Sequence, residues 1–158
     1  MQAARHAVAL EHLEDLRRVD AQLAESRKRI VEAVAASGTS VTDIVGVGPI
    51  VAAMVIGYTG DVYRFATRHR YAAYTGTAPI EISSGPRVIH RLSRRGNRQL
   101  NHAMHLAALS QIRYPHTPGR VYYNRKIAEG KTSKEAFRAL KRRISDAVYR
   151  QLLADARR

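Results

Sequence analysis

Two adjacent serines, Ser83 and Ser84, stand before a Gly-Pro turn and ahead of a run of arginines. From Ile82 to Ala128 the chain carries nine Lys or Arg residues and no Asp or Glu. A hydroxyl group in such an arginine field is suited to holding a phosphodiester, and to attacking it, because guanidinium groups neutralise phosphate charge. Ser-Gly-Pro is also an ordinary turn sequence. The residues alone therefore leave open whether a serine is a nucleophile or only part of a turn.

The candidate nucleophile is Ser84, with Ser83 as its rival because the two are adjacent. The candidate nucleic-acid ligands near them are Arg87, Arg91, Arg94, Arg95, Asn97 and Arg98. The arginines could also form a solvated face, but a face without balancing acids favours a polyanion. Asn97 follows Gly96 at the start of an expected helix, so its side chain is equally a candidate helix cap.

The composition points to a polyanionic partner. The 158 residues include 27 Lys or Arg and 13 Asp or Glu, which gives a formal charge of +14. We expect nucleic acid, DNA first, rather than a membrane, because no long apolar run is present. The chain has no cysteine, which excludes disulfides and thiolate zinc sites. The charged opening residues do not form a signal peptide, so a cytoplasmic location is expected.

Residues 2–36 contain no Gly or Pro and predict one long helix that stops at Ser37-Gly38. Leu16, Leu23 and Ile30 are seven residues apart, which is typical of a coiled coil. The helix is therefore expected to connect this chain to a second copy or to another domain, although it could also pack along the body. We divide the chain into a connecting helix, residues 1–37, and a second domain, residues 38–158.

The second domain is predicted to be mainly α, with a helix-hairpin-helix-like core and one small β-ribbon. Gly46-Val47-Gly48 precedes Pro49 and an apolar helix. Gly46 and Gly48 are candidate phosphate-binding residues, because backbone N–H groups at a helix N-terminus attract anions. A tight corner, with glycines for close packing, explains the same sequence.

Later elements follow from caps and breakers. Thr67 is expected to cap a short helix that ends at Gly76, and residues 79–92 to form the ribbon. Ser93 is the expected cap of a helix that starts near residues 94–97 and is ended by Pro115 and Pro118. The last helix should begin at Thr132 or Ser133 and bury the residues Ala136, Leu140, Ile144 and Val148. Its polar face should carry Lys141, Arg142, Arg143 and Arg150.

Two further sets of side chains are weaker candidates. His102 and His105 are one helical turn apart, but no carboxylate or thiolate completes a metal site, so no metal is expected. Tyr122 and Tyr123 lie among basic residues and are candidates both for base stacking and for the edge of the core.

Five elements, in order, resemble the C-terminal domain of bacterial insertion-sequence transposases of the IS110 type, relatives of the Piv-like DNA invertases. They are the Gly-Val-Gly-Pro hairpin, a Tyr-x-Gly-x-x-Pro turn, Ser-Gly, Arg-x-Gly-Asn-x-x-Leu, and Gly-Lys-Thr-Ser-x-x-Ala. They begin at Gly46, Tyr74, Ser84, Arg94 and Gly130 respectively, and the resemblance covers about residues 40–155.

The resemblance implies DNA strand exchange during transposition, with the serine at Ser84 attacking a DNA phosphate to form a covalent phosphoserine. It also implies an N-terminal RuvC-like nuclease domain with an acidic metal-binding tetrad, and a guide RNA in some members. The 158 residues contain no such domain. Mg²⁺ is therefore expected only in that domain, and the chain is expected to be incomplete and inactive alone. The alternative is a non-catalytic module for nucleic-acid binding and dimerisation.

Overall fold

The computed structural model describes residues 2–84, 87–92 and 96–158, and the side chains of residues 2–79 and 96–158 among them. The chain divides into two compact units, Met1–Ser37 and Gly38–Arg158. Each unit is described by itself below.

The first unit is helix α1, Gln2–Ala36. The long N-terminal helix is therefore confirmed, including its end before Ser37-Gly38. Leu13, Leu16 and Leu23, which lie on or beside the seven-residue seam, are exposed by 41%, 62% and 50%. Leucines at such spacing normally lie against another helix. Their exposure here leaves an apolar seam on α1 that a second helix could cover.

The second unit contains five helices in the part of the chain that the structure describes. They are α2 (Pro49–Thr59), α3 (Arg68–Tyr74), α4 (Arg98–Arg113), α5 (Pro118–Ala128) and α6 (Ser133–Asp155). Single 3₁₀ turns lie at Val41–Asp43 and Val62–Arg64. Strands β1 (Pro79–Ser84) and β2 (Arg87–Leu92) form one antiparallel ribbon. A mainly α fold with a long N-terminal helix and a small ribbon is confirmed.

Helices α4 and α6 form the centre of the core. Helix α6 packs against α3, α4 and α5, and α4 also packs against α2 and α5. Alanines at 103, 107 and 108 are fully buried in α4 and allow close helix approach, while Leu140, Ile144 and Val148 fill the α6 face. The predicted apolar face of α6 is therefore confirmed.

The aromatic part of the core is centred on Tyr71, which is fully buried. Its ring lies 5.2 Å from the ring of Phe65 and 5.4 Å from that of Tyr149, measured between centroids. Its hydroxyl lies 3.0 Å from Oγ1 of Thr59. Burial raises the pKa of Tyr71 to about 12, because the phenolate would lose its hydration there.

Side-chain caps open most helices of this unit. Thr67 and Thr132 accept hydrogen bonds from the backbone N–H groups of Arg70 and Glu135, as predicted. The expectation that Ser93 caps the next helix is wrong: α4 begins at Arg98, and its cap is Asn97. Ser93 itself lies outside the described residues. Helix α4 starts later than expected because residues 96 and 97 contact the turn that precedes β1 and are not part of the helix.

Two other expectations need correction. Pro118 does not end α4; it is the first residue of α5, where its missing N–H costs nothing. Lys141 does not lie on the polar face of α6, because it is 5% exposed and packs with the core. Before Gly46 the chain forms a single 3₁₀ turn at Val41–Asp43, and the helix-hairpin-helix description stays a prediction.

A hydrogen-bonded latch joins the start of this unit to the end of α6. Asp155 accepts hydrogen bonds from Oγ1 of Thr39 at 3.0 Å, from the N–H of Ser40 at 2.9 Å, and from the Ser40 hydroxyl. Burial acts to raise the pKa of Asp155, but these hydrogen bonds outweigh it and lower that pKa below its usual value.

None of the helices that the structure describes is long and apolar enough to cross a membrane.

Candidate nucleic-acid interface

The candidate serines lie at the end of strand β1. In the ribbon, Ser84 pairs with Arg87 beside the turn, Ser83 pairs with Val88, and Ile80 pairs with Arg91. The backbone thus brings Ser84 and the first of the predicted arginines directly opposite each other. Arg94 and Arg95 lie outside the described residues.

The base of the ribbon is held by backbone contacts between its entry and its exit. The N–H of Asn97 donates to the carbonyl of Tyr74 at 2.6 Å. A Cβ added at Gly96 would lie 2.5 Å from N and 2.6 Å from Cα of Gly76. Only a glycine at position 96 permits this approach. The glycines of the two sequence motifs, Tyr-x-Gly and Arg-x-Gly-Asn, therefore meet in space.

Side chains of α4 and α6 support this base. Nδ2 of Asn101 donates to the carbonyls of Thr75 and Gly76 at 3.1 and 2.9 Å. Oδ1 of the same amide accepts a hydrogen bond from Nζ of Lys141 at 2.6 Å. Burial lowers the pKa of Lys141, because the charged form loses hydration. Lys141 and Asn101 thus fix the turn that leads into β1.

A set of buried hydroxyls continues this support. Oγ1 of Thr75 lies 3.0 Å from Oγ1 of Thr77 and 3.0 Å from Oγ of Ser145 on α6. Every buried side-chain nitrogen or oxygen in the described part of the chain has a hydrogen-bond partner. A satisfied polar network of this kind fixes one geometry, so the ribbon starts from a rigid position.

Sequence reasoning missed Asn101 and Lys141. A signal for Lys141 is present, because it lies three residues before Ile144 and seven before Val148, on the same helical stripe. However, the charge of the Lys141 side chain leads one to expect it in contact with solvent. Asn101 gives no local signal, since its partners come from other elements.

The side chain of Asn97 is used within the protein. Its Oδ1 accepts from the N–H of Leu100 at 3.0 Å, and its Nδ2 donates to Oη of Tyr74 at 3.4 Å. Hydrogen bonds with Asn97 and then Arg64 lower the pKa of Tyr74. The structure thus gives Asn97 the capping role, while a contact with nucleic acid stays a prediction. Arg98, the first residue of α4, is exposed.

The glycines before α2 have different surroundings. A Cβ at Gly46 would lie 2.6 Å from the carbonyl oxygen of Ala107, so Gly46 allows the loop to pack against α4. Gln111 strengthens this contact by donating from Nε2 to the carbonyl of Val45 at 2.6 Å. Gly48 is the N-cap of α2, is exposed, and would accept a Cβ without contact. Packing therefore explains Gly46, and phosphate binding by either glycine stays a prediction.

The histidines of α4 do not form part of a metal cluster in the described residues. No group of three or more His, Cys, Asp or Glu side chains among them could hold a metal ion. The ring of His105 packs edge-on against Phe137, with 5.0 Å between centroids. Burial, and then the charge of Lys141, lower the pKa of His105.

Comparison with known proteins gives the family. The family model described as Transposase IS116/IS110/IS902 family matches residues 38–124, which include the whole ribbon and its base. The chain is 36% identical over 112 residues to the "Insertion element IS110 uncharacterized 43.6 kDa protein" of Streptomyces coelicolor. It is 38% identical over 110 residues to the "Insertion element IS900 uncharacterized 42 kDa protein" of Mycobacterium paratuberculosis.

These matches cover 70% and 68% of this chain but only 27% of each relative. The "Insertion element IS116 uncharacterized 44.8 kDa protein" of Streptomyces clavuligerus is 32% identical over 109 residues, with the same 27% share of its length. The chain thus spans about a quarter of the length of these relatives. The family model nevertheless covers more than half of the chain, and the chain belongs to the IS116/IS110/IS902 family of transposases.

Proposed function

We propose that this chain binds DNA through the β1–β2 ribbon and supplies the Ser84 hydroxyl for strand exchange in transposition. The observation that carries this proposal is the ribbon register, in which Ser84 pairs with Arg87 beside the turn. Directly paired residues lie on the same face of an antiparallel ribbon. A phosphate held by Arg87 would therefore lie next to Ser84, whereas Ser83 pairs with Val88.

The proposed step is a transesterification. Oγ of Ser84 forms a bond to phosphorus, and the bond from phosphorus to the departing nucleoside oxygen breaks. The hydroxyl proton passes through a base to that oxygen, so the DNA end leaves as a free hydroxyl and no cofactor is consumed. The phosphoserine keeps the ester bond, which a second DNA end can attack in the reverse sense.

Activation of the serine is proposed to depend on a second domain. A serine hydroxyl needs an adjacent base or a metal ion to become a good nucleophile. The described residues offer no cluster that would hold Mg²⁺, and the RuvC-like domain implied by the resemblance is the proposed source of activation. What this chain contributes is the hydroxyl, a rigid base for its strand, and positive charge for the phosphates.

DNA binding by the ribbon predicts a steep salt dependence. Five phosphate contacts give a slope of log affinity against log salt of about −4.5, or a roughly 500-fold loss between 50 and 200 mM salt. Changing Arg87 and Arg91 together to glutamine should make this slope shallower by about 1.8, because two contacts are lost. Fluorescence anisotropy with a labelled duplex at several salt concentrations measures both slopes.

The matched control changes Lys28 and Arg29 to glutamine. These residues are exposed on α1, where acidic and basic residues are equal in number. Their substitution removes the same charge far along the chain from the ribbon, so the control should keep the original slope. Salt-insensitive binding, or an equal loss of slope in both double variants, would contradict the ribbon as the DNA contact.

We also propose that α1 joins two copies of the chain, because its seam leucines are exposed. Leu23→Glu should then convert a dimer to a monomer, since a charge would lie on the apolar seam. Sedimentation equilibrium at micromolar to high micromolar concentration measures this change. Gln22→Glu, one position away, should leave the dimer intact, and a monomeric unmodified protein would rule out the coiled coil.

A further inference from the structure

A cavity lies beside the start of the ribbon, between α5 and α6. Its volume is about 270 Å³, and Pro79, the first residue of β1, forms part of its wall. Tyr122 of α5 lines another side, and Arg138 and Arg142 of α6 line a third. The cavity thus opens next to the strand that carries the proposed nucleophile, but its residues differ from those of the ribbon.

The cavity wall is strongly cationic. Lys131, Arg138, Lys141 and Arg142 line it, against a single carboxylate, Glu135. That carboxylate is already engaged, because its Oε2 accepts from the N–H of Thr132 at 2.9 Å and from its hydroxyl at 2.7 Å. The local charge therefore favours an anionic ligand.

Two of the four cations, Lys131 and Arg138, are positioned to hold such a ligand, whereas the other two already have partners. Lys141 is bonded to Asn101, and Arg142 is paired with Asp146 at 3.0 Å. Lys131 and Arg138 make no ion pair with any residue in the described part of the chain. A phosphate between them would gain two charge-assisted hydrogen bonds.

Tyr122 supplies a planar surface in the same cavity. Its ring centroid lies 4.8 Å from the guanidinium carbon of Arg143, 5.2 Å from that of Arg125, and 5.5 Å from Nζ of Lys126. Aromatic rings among cations are the usual platform for unpaired bases, because the ring stacks on the base while the cations contact the backbone.

We propose that this cavity binds one unstacked nucleotide of a single-stranded segment, with its phosphate between Lys131 and Arg138 and its base against Tyr122. The volume is just below the usual range of small-ligand pockets, so it admits parts of one nucleotide and not a duplex. DNA and RNA share the chemistry that the cavity recognises. The proposal rests on the nucleic-acid binding proposed for the ribbon and adds a site for a strand that is not paired.

The test compares Tyr122→Leu with Tyr122→Phe. Anisotropy is measured with an oligo-dU and an oligo-U of about 12 nucleotides, which differ only in the sugar, and with a duplex of the same length. Tyr122→Leu should weaken single-strand binding by roughly 5- to 150-fold, the range of one lost base stack, and leave duplex binding within about twofold. Tyr122→Phe keeps the ring and should bind like the unmodified protein. Tighter binding of one oligonucleotide identifies its sugar type as the source.

The phosphate contact is tested with Lys131→Gln and Arg138→Gln together. This double variant should make the salt slope for single strands shallower by about 0.7, because the contact with one phosphate is lost, whereas the Lys28→Gln and Arg29→Gln control should not. Equal losses for single strands and duplex, or full displacement by an acidic peptide such as poly-glutamate, would overturn the proposal. If the unmodified protein does not bind the duplex at all, that result contradicts the function proposed for the ribbon.

A cross-linking measurement removes any dependence on the folding of variants. Single strands that carry 5-iodouracil are irradiated with the unmodified protein, and the cross-linked peptide is found by mass spectrometry. The proposal expects the cross-link at Tyr122. Cross-links found only at other tyrosines, with duplex binding intact, would overturn the cavity site while leaving the ribbon proposal in place.

Discussion

Replacing Gly96 with alanine should destabilise the unit Gly38–Arg158 by about 2–4 kcal/mol. The new Cβ would lie 2.5 Å from N and 2.6 Å from Cα of Gly76, and 2.9 Å from the carbonyl oxygen of Tyr74. All three atoms belong to the backbone, so no side chain can rotate away. The entry and exit of the ribbon must separate, and the hydrogen bond from Asn97 to Tyr74 is lost with them.

Urea denaturation measures this loss, with tyrosine near-UV circular dichroism as the signal. All eight tyrosines lie after residue 38 and the chain has no tryptophan, so this signal reports on the second unit and not on α1. Gly57→Ala is the matched control. A Cβ at this exposed position in α2 would meet no atom within 4 Å, and alanine should stabilise the helix by about 0.5–1 kcal/mol.

Equal stability of the Gly96→Ala protein and the unmodified protein would contradict the clamped ribbon base. A loss in both glycine variants would point to a general sensitivity of the domain. We expect a loss of stability in Gly96→Ala and a gain in Gly57→Ala. These opposite changes distinguish a close backbone approach from the ordinary preference of helices for alanine.

The sequence predicts the elements well because their signals are local. The long α1, the ribbon and the caps at Thr67 and Thr132 follow from spacing, breakers and cap residues within a few positions. The sequence misplaces the cap of α4 because Ser93 and Asn97 are both good cap residues. In the fold, Asn97 donates its N–H to the carbonyl of Tyr74 at the ribbon base and caps α4, and a contact between distant residues of this kind gives no local signal in the sequence.

The support of the candidate site could not be predicted in the same way. Asn101 and Lys141 act on the turn before β1 from two other helices. A charged side chain is normally placed in solvent, and the burial of Lys141 depends on an amide partner that α4 supplies. The candidate reactive residues can be identified from the sequence, whereas the residues that position them can be identified only from the folded structure.

Changing Ser84 to alanine should abolish the covalent protein–DNA adduct when the chain is joined to the RuvC-like domain of a family member. Loss of the proposed nucleophile removes the oxygen that forms the ester, so the adduct should fall by at least roughly 1,000-fold. Denaturing gels with labelled DNA measure the adduct. The substitution keeps every arginine, so the affinity for duplex should stay within about twofold.

Ser83→Ala is the matched control, because it removes the same hydroxyl one residue earlier. Its register partner is Val88 rather than Arg87, so it should keep most of the adduct. Mass spectrometry of the adduct peptide should place the phosphate on Ser84. An adduct that survives Ser84→Ala but not Ser83→Ala would exchange their roles, and one that survives both substitutions in the same protein would exclude Ser83 and Ser84 as the nucleophile.

A rigid base makes this discrimination possible. Adjacent residues of a strand belong to opposite faces, so the register assigns Ser84, opposite Arg87, and Ser83, opposite Val88, to different faces of the ribbon. A nucleophile must lie about 3–3.5 Å from its target with the correct alignment. Because the Gly76–Gly96 contact and the bonds from Asn101 fix where the ribbon starts, one serine can meet that condition only if the other does not. The Gly96→Ala protein should accordingly lose adduct formation more steeply than it loses DNA affinity.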